Sequence, residues 1–312
     1  MYDTIGLKLD ADHAPGIDFI SEIPLRLDMV SAETNFKNGT VVITGYLGAA
    51  KIQISKDWVK FTDTSLCKWY LGDNFKVLSR PDVERAIKKL STQLGLPMDQ
   101  AMVTRIDVAQ NIIVRYDKWV YYNHLGGLGH FKRLTQPDGI YYQTSKIQAV
   151  FYDKVAEQKR KRKPIPEIYK DQNVIRYELR FKRDLLKIFN RPSLTAADLY
   201  DPGFYVQVVG LWLEYYRKIK KINDIQIDWG MIKTVRELNN QGILCLVDLI
   251  GGEMAAINKI NEDCKCGKLK SYQALDLRER IKTACRSDKL TTTSDVILEL
   301  NKKIEQSVSR YQ

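Results

Sequence analysis

Cysteine is scarce in this chain. The five thiols, Cys67, Cys245, Cys264, Cys266 and Cys285, are an odd and scattered set among 312 residues. That argues against a disulfide framework and fits a reducing compartment. Cys264-Lys265-Cys266 resembles half a zinc site, but no second cysteine pair and no neighbouring histidine completes it, so no zinc is expected there. Long apolar runs are missing too: none approaches the ~20 residues that a membrane span needs, and the first residues carry no leader pattern. A phosphate loop is also missing. Tyr121-Tyr122-Asn123-His124-Leu125-Gly126-Gly127-Leu128-Gly129-His130 is rich in glycine but lacks the Gly-Lys-Ser/Thr ending, and reads as a flexible loop. What remains is ordinary for a globular protein, 44% hydrophobic and 28% charged, with length enough for a sizeable core and two domains.

The net charge of +11 is unevenly spread. Residues 1–100 hold 12 basic and 13 acidic side chains, residues 101–190 hold 18 and 9, and residues 191–312 hold 19 and 16. The basic excess therefore sits in the middle segment, and a localised basic field points to a polyanionic partner. Part of it is Lys159-Arg160-Lys161-Arg162-Lys163, a run closed by Pro164 and Pro166, which could clamp a nucleic-acid backbone.

The same segment carries three stretches that read as strands, being short, alternating, and β-branched or aromatic. They are Thr104-Arg105-Ile106-Asp107-Val108-Ala109-Gln110, Ile147-Gln148-Ala149-Val150-Phe151-Tyr152-Asp153-Lys154 and Val174-Ile175-Arg176-Tyr177-Glu178-Leu179-Arg180-Phe181. Because strand side chains alternate between faces, Arg105 and Asp107 share a face, as do Tyr152 and Lys154, and as do Arg176, Glu178 and Arg180. If the strands are neighbours, one wall of a sheet gathers two carboxylates, three arginines, a tyrosine and a lysine. That set suits a metal held by oxygen ligands, a nucleophilic hydroxyl and a phosphate-binding surround. It equally describes cross-strand ion pairs on a solvated face, and the residues alone leave both open.

Around these stretches, residues 1–80 read as β-rich, with candidate strands at 4–9, 25–30, 51–55 and 58–62 and a hairpin turn at Asn38-Gly39. Asp10, Asp12, Glu22 and Asp28 lie near strand ends and could add to a metal site. Ser79-Arg80-Pro81-Asp82 opens a helix whose apolar stripe is Val83, Ile87, Leu90 and Leu94, ended by Gly95 and Pro97. After Arg183 the period becomes helical, with candidates at 204–219, 231–239, 244–250, 253–262, 271–285 and 294–308. The apolar stretch 244–252 is expected to be buried. The expected fold class is α+β: an antiparallel β-sheet unit over 1–190, then a mostly α-helical unit over 191–312, divided near Asn190-Arg191-Pro192.

Taken in order, Thr104-Arg105-Ile106-Asp107-Val108-Ala109, Phe151-Tyr152-Asp153-Lys154-Val155-Ala156-Glu157 and Arg176-Tyr177-Glu178-Leu179-Arg180 resemble the phage and plasmid replication proteins of the gene II/X family. More distantly they resemble the initiators of staphylococcal rolling-circle plasmids. Asn123-His124-Leu125-Gly126 and Ala274-Leu275-Asp276-Leu277-Arg278 look like the form seen in Bacteroides-type plasmids and phages, so the resemblance covers nearly the whole chain. It implies a rolling-circle replication initiator working in a bacterial host's cytoplasm. Such a protein nicks one strand of its origin DNA through a tyrosine, which stays linked to the 5′ phosphate and frees a 3′ hydroxyl, and it later transfers the strand.

Carried over by position, Tyr152 matches the tyrosine of the Phe-Tyr-acidic-Lys motif and Asp107 matches the acid of the Arg-hydrophobe-Asp motif. On this resemblance Tyr152 and Lys154 are the catalytic pair, and Asp107 and Glu178 hold Mg2+ or Mn2+. Arg105, Arg176 and Arg180 meet the phosphate, and Lys159, Arg160, Lys161, Arg162 and Lys163 meet the DNA backbone. Residues 1–190 would then be the nicking domain, and 191–312 would serve origin binding or dimerisation. A homodimer, host helicase and host polymerase are the further partners implied. The chain departs from the wider nicking class in lacking a His-hydrophobe-His pair, which leaves the metal-ligand set open and Tyr142 as a rival nucleophile. The competing functions are a non-catalytic DNA-binding regulator and a conjugative relaxase.

Overall fold

The computed structural model describes residues 1–309 except 35–38, 63, 74, 226–229, 231 and 287–290. Ten strands form one sheet: β1 (Tyr2–Asp10), β2 (Asp28–Thr34), β3 (Val41–Leu47), β4 (Ala50–Ser55), β5 (Trp58–Thr62), β6 (Met102–Val114), β7 (Lys132–Gln136), β8 (Gly139–Gln143), β9 (Ile147–Asp153) and β10 (Asn173–Phe181). Their order is β2-β3-β4-β5-β1-β6-β10-β9-β8-β7, with every neighbouring pair antiparallel. The expected α+β class, an antiparallel sheet followed by helices, is what is observed. The candidate turn at Asn38-Gly39 lies partly outside the described residues. The strand expected at 25–30 starts later, because Pro24–Arg26 forms a short turn before β2.

The three motif strands are the centre of this sheet. β10 lies between β6 and β9. Its odd-numbered side chains Ile175, Tyr177, Leu179 and Phe181 point to an apolar face, as the alternation requires. There Tyr177 stacks on Phe151 with ring centroids 4.4 Å apart, and its hydroxyl donates to the Trp212 carbonyl at 3.1 Å. Trp212 and Tyr216 belong to the helix Pro202–Lys218, which closes this face. The helix Asp295–Ser309 packs on that helix and on β6. One hydrophobic core therefore runs from Met1 to Val308. It crosses the expected boundary at Asn190-Arg191-Pro192, because the sheet's apolar face is covered by helices from beyond it.

The helix Arg80–Leu94 forms as its sequence directs: Ser79 and Asp82 make a reciprocal capping box, and Gly95 ends it in the left-handed conformation. Helices Val235–Leu249, Glu253–Lys265 and Ser271–Cys285 pack on one another around a small core of Leu244 and Ala284. The expectation that 244–252 is buried fails in part. Leu244 and Val247 face inward, but Leu246 and Leu249 are 55% and 85% exposed, since a helix in a thin layer turns only one stripe to its neighbours.

Candidate active site

The opposite, polar face of the central strands carries the charged residues of the three motifs. Strand register sets the pairs: Arg180 lies opposite Asp107 on β6 and Gln148 on β9, and Arg176 lies opposite Asn111 and Tyr152. Glu178, between the two arginines, is the hub. Its Oε1 accepts from the Tyr152 hydroxyl at 2.8 Å and from Arg176 Nε at 2.8 Å. Its Oε2 accepts from Arg180 Nε at 2.8 Å, with Arg180 Nη2 in close contact. Asp107 accepts two bonds from Arg105, Nε at 2.9 Å and Nη2 at 2.6 Å, and Arg180 Nε stands 4.0 Å from it. Gly139 pairs with Tyr152 on the outer side. A Cβ on Gly139 would meet the Phe151 carbonyl oxygen at 2.1 Å, so only glycine lets β8 approach there.

Arg105, Asp107, Tyr152, Glu178 and Arg180 line an open cleft of about 300 Å³. The two motif carboxylates are both buried but their environments push them apart. Burial raises Asp107 to about 6 even though Arg105 opposes the shift. Burial also acts on Glu178, but Arg180 and Arg176 together outweigh it and hold the acid well below the usual carboxylate range. The Tyr152 hydroxyl is pushed well above its ordinary value, first by burial and then by the Glu178 charge.

Not every expected residue lies where the sequence pattern placed it. Arg105, Asp107, Tyr152, Glu178 and Arg180 meet in the cleft. Arg176 does not reach it. It is fully buried, bonded to Glu178, to Asn111 Oδ1 at 2.9 Å and to Asp3 Oδ2 at 2.9 Å, so it is a support for Glu178 and offers no surface to DNA. Lys154 is not on a strand. Asp153 ends β9 and caps the helix Lys154–Arg160 by accepting from the Ala156 amide, so Lys154 turns inward. Its Nζ pairs with Glu157 at 2.9 Å and lies 6.0 Å from the Tyr152 ring centroid. Burial, then Arg176, lowers its pKa.

Of the basic run, Arg160 and Lys161 line the cleft, while Lys159, Arg162 and Lys163 are exposed beside it. Tyr142 is on the apolar face, where its hydroxyl donates to the carbonyls of Gly126 at 2.8 Å and Leu125 at 3.0 Å. That removes it from the cleft. Its neighbour Tyr141 takes the other face and lines the cleft, bonded to Asp138 at 3.2 Å.

Asp3, Ser65, Asp138, Tyr141 and Glu157 also line the cleft and were not singled out by the sequence. Glu157 had a signal, since it ends the Tyr152 motif. Asp3 had none that locates it, because only the pairing of β1 with β6 brings it to Arg176. Asp10, Asp12, Glu22 and Asp28 stay outside the cleft. His124 is taken up elsewhere: its Nε2 bonds Asp224 at 2.7 Å and its Nδ1 the Val120 carbonyl at 2.6 Å, which ties the glycine-rich loop to the helical part.

The oxygen donors here suit Mg2+ or Mn2+ in kind. Among the described residues, no group of three or more His, Cys, Asp or Glu side chains is arranged to hold a metal ion. Both Glu178 oxygens are engaged by arginine. Asp107 is the better donor, because its main partner Arg105 is partly exposed and borders open solvent. Among the described residues, no helix is long and apolar enough to cross a membrane.

In comparison with known proteins, a family model for the N-terminal part of a phage replication-associated protein, the gene II protein, matches residues 1–213. That match spans the whole sheet and most of the helix that covers it. No curated protein matches the chain.

Proposed function

The chain belongs to the family of phage replication-associated proteins typified by the gene II protein, and on that premise we propose that it starts rolling-circle replication by nicking one origin strand through Tyr152. The observation that carries this reading is the Tyr152 hydroxyl, held by Glu178 in a cleft faced by Arg105 and Arg180. Attack of Tyr152 Oη on a phosphodiester forms a tyrosine–phosphorus ester and breaks the bond to the 3′ oxygen. The tyrosine gives up its proton and the leaving oxygen takes one up, leaving a 5′-phosphotyrosyl link and a free 3′ hydroxyl. Reversal by another 3′ hydroxyl accounts for later strand transfer.

The raised pKa of Tyr152 keeps the resting nucleophile neutral, so a proton acceptor is needed. Glu178 is too weak a base for that and serves to aim the hydroxyl. Asp107 is bonded to Arg105 and not to Tyr152, so in this scheme it serves the ion, and the phenol proton leaves to water in the open cleft. Arg105 and Arg180 neutralise the phosphate, with Arg160 and Lys161 at the rim. Lys154, close to the Tyr152 ring, offsets charge that develops on the phenol oxygen. Mg2+ or Mn2+ is part of the proposal: Asp107, with Glu178 beside it, would hold the ion, and bound there it would polarise the scissile phosphate. The helices beyond the sheet are assigned to origin recognition or to pairing of two copies. Host helicase and polymerase would act on the nicked product.

The test is incubation of the protein with supercoiled plasmid carrying the origin and Mg2+ or Mn2+. Nicked circles are expected from the wild type and none from Tyr152→Phe. Binding without nicking would leave a DNA-binding regulator.

A further inference from the structure

Beside the cleft is an aromatic pair that the nicking scheme does not use. Tyr169 stacks on Phe75, with ring centroids 5.0 Å apart and planes 22° from parallel. Phe75 is buried, so it is the fixed backing, and Tyr169 is half-buried in front of it. The pair is tied to the cleft twice over. Lys154 Nζ lies 5.4 Å from the Phe75 ring centroid and 6.0 Å from that of Tyr152. Asn111, which accepts from Arg176, donates to the Phe75 carbonyl at 2.8 Å. A chain of ring and cation neighbours, with no step longer than 6.0 Å, thus joins Tyr169 to Tyr152.

The segment that carries Tyr169 follows directly on the exposed basic run, stiffened by Pro164 and Pro166 and closed by the short turn Glu167–Tyr169. Its neighbour Ile168 is 67% exposed. A row of exposed cations leading into an exposed apolar side chain and a half-buried ring is the composition of a single-strand groove, where cations follow phosphates and ring faces take bases.

We propose that Tyr169, backed by Phe75, is a base-stacking platform for single-stranded DNA flanking the scissile phosphate. Residues 159–163 hold the adjoining backbone. The proposal rests on the nicking reading and extends it to the strand's path. Stacking tolerates any base, so the platform contributes position, not sequence choice, and holds the phosphate in line with Tyr152.

If Tyr169 merely covers Phe75, any apolar side chain of similar bulk will serve; a platform needs a ring face. Fluorescence anisotropy with the full chain separates the two, using a labelled oligothymidylate and an abasic oligomer of equal length. The wild type should bind the oligothymidylate more tightly. Tyr169→Leu, which keeps Phe75 covered, and Tyr169→Ala should each weaken that binding by about 5- to 100-fold and leave the abasic oligomer unchanged. Tyr169→Phe and Tyr169→Trp should keep wild-type affinity. Unchanged oligothymidylate binding by Tyr169→Leu, or equal losses on both oligomers, overturns the platform while leaving the nicking scheme standing. A wild type that binds neither oligomer instead removes the single-strand reading of the cleft, and the platform with it.

Discussion

Asp107 should cost the protein stability. The carboxylate is only 2% exposed and its pKa is raised by burial to about 6, against ~3.9 in an unfolded chain. Since the folded pKa is the higher one, the folded state binds the proton more tightly. Stability is therefore greatest with Asp107 protonated and falls as pH rises from ~4 to about 6. A shift of roughly two units corresponds to ~3 kcal/mol lost by neutral pH. Asp107→Asn keeps the shape and one acceptor for Arg105, which solvent can serve in part. The variant should unfold at a higher temperature than the wild type at pH 8, by ~2–6 °C. The advantage should shrink towards pH 4, where the wild-type group is protonated. Thermal unfolding of both proteins across pH 4–8 reads this directly. If Asp107→Asn is less stable at pH 8, or if the difference does not change with pH, the buried charge is not the liability described. The same variant should nick slowly, because it removes the carboxylate proposed to hold the ion, so stability and activity should move in opposite directions.

Trp212→Ala should destabilise the sheet by ~3–5 kcal/mol, because Trp212 is fully buried against Tyr177; a chain ended near Arg191 should fail to fold, as seen by circular dichroism. Tyr142→Phe should nick at the wild-type rate in a plasmid assay, since its hydroxyl is bonded to two carbonyls on the far face. Replacing Lys159, Arg160, Lys161, Arg162 and Lys163 with serine should flatten the dependence of log K on log salt by up to ~0.9 for each phosphate that is no longer neutralised, as measured by anisotropy over a salt series; an unchanged slope would mean that the run does not touch DNA.

The centre of the fold was legible because alternation is a local property. Ile106 and Val108, or Ile175 and Tyr177, could face inward only if Asp107 and Arg176 faced the other way, and the structure follows that rule. Depth was not legible. Arg105 and Arg176 look alike on their strands, yet one borders the cleft and the other is fully buried, because β1 brings Asp3 over Arg176 and nothing local announces it. Lys154 misled for a local reason: Asp153 is a good helix cap, and capping ended the strand one residue early. Which helices cover the sheet was not legible for a global reason. The change of period near Pro192 is real, but the helix Pro202–Lys218 is the lid of the sheet and shares its core.

The central claim is that the Tyr152 hydroxyl attacks the phosphate, and mapping the covalent adduct tests it most directly. The protein is reacted with a single-stranded origin oligonucleotide and Mg2+ or Mn2+, digested, and the peptide carrying the 5′-phosphate is identified by mass spectrometry. The adduct should sit on Tyr152, disappear in Tyr152→Phe, and persist in Tyr142→Phe. Tyr152→Phe should keep its DNA affinity, since only one oxygen is lost. An adduct on Tyr141 or any other residue, or wild-type nicking by Tyr152→Phe, would contradict the account.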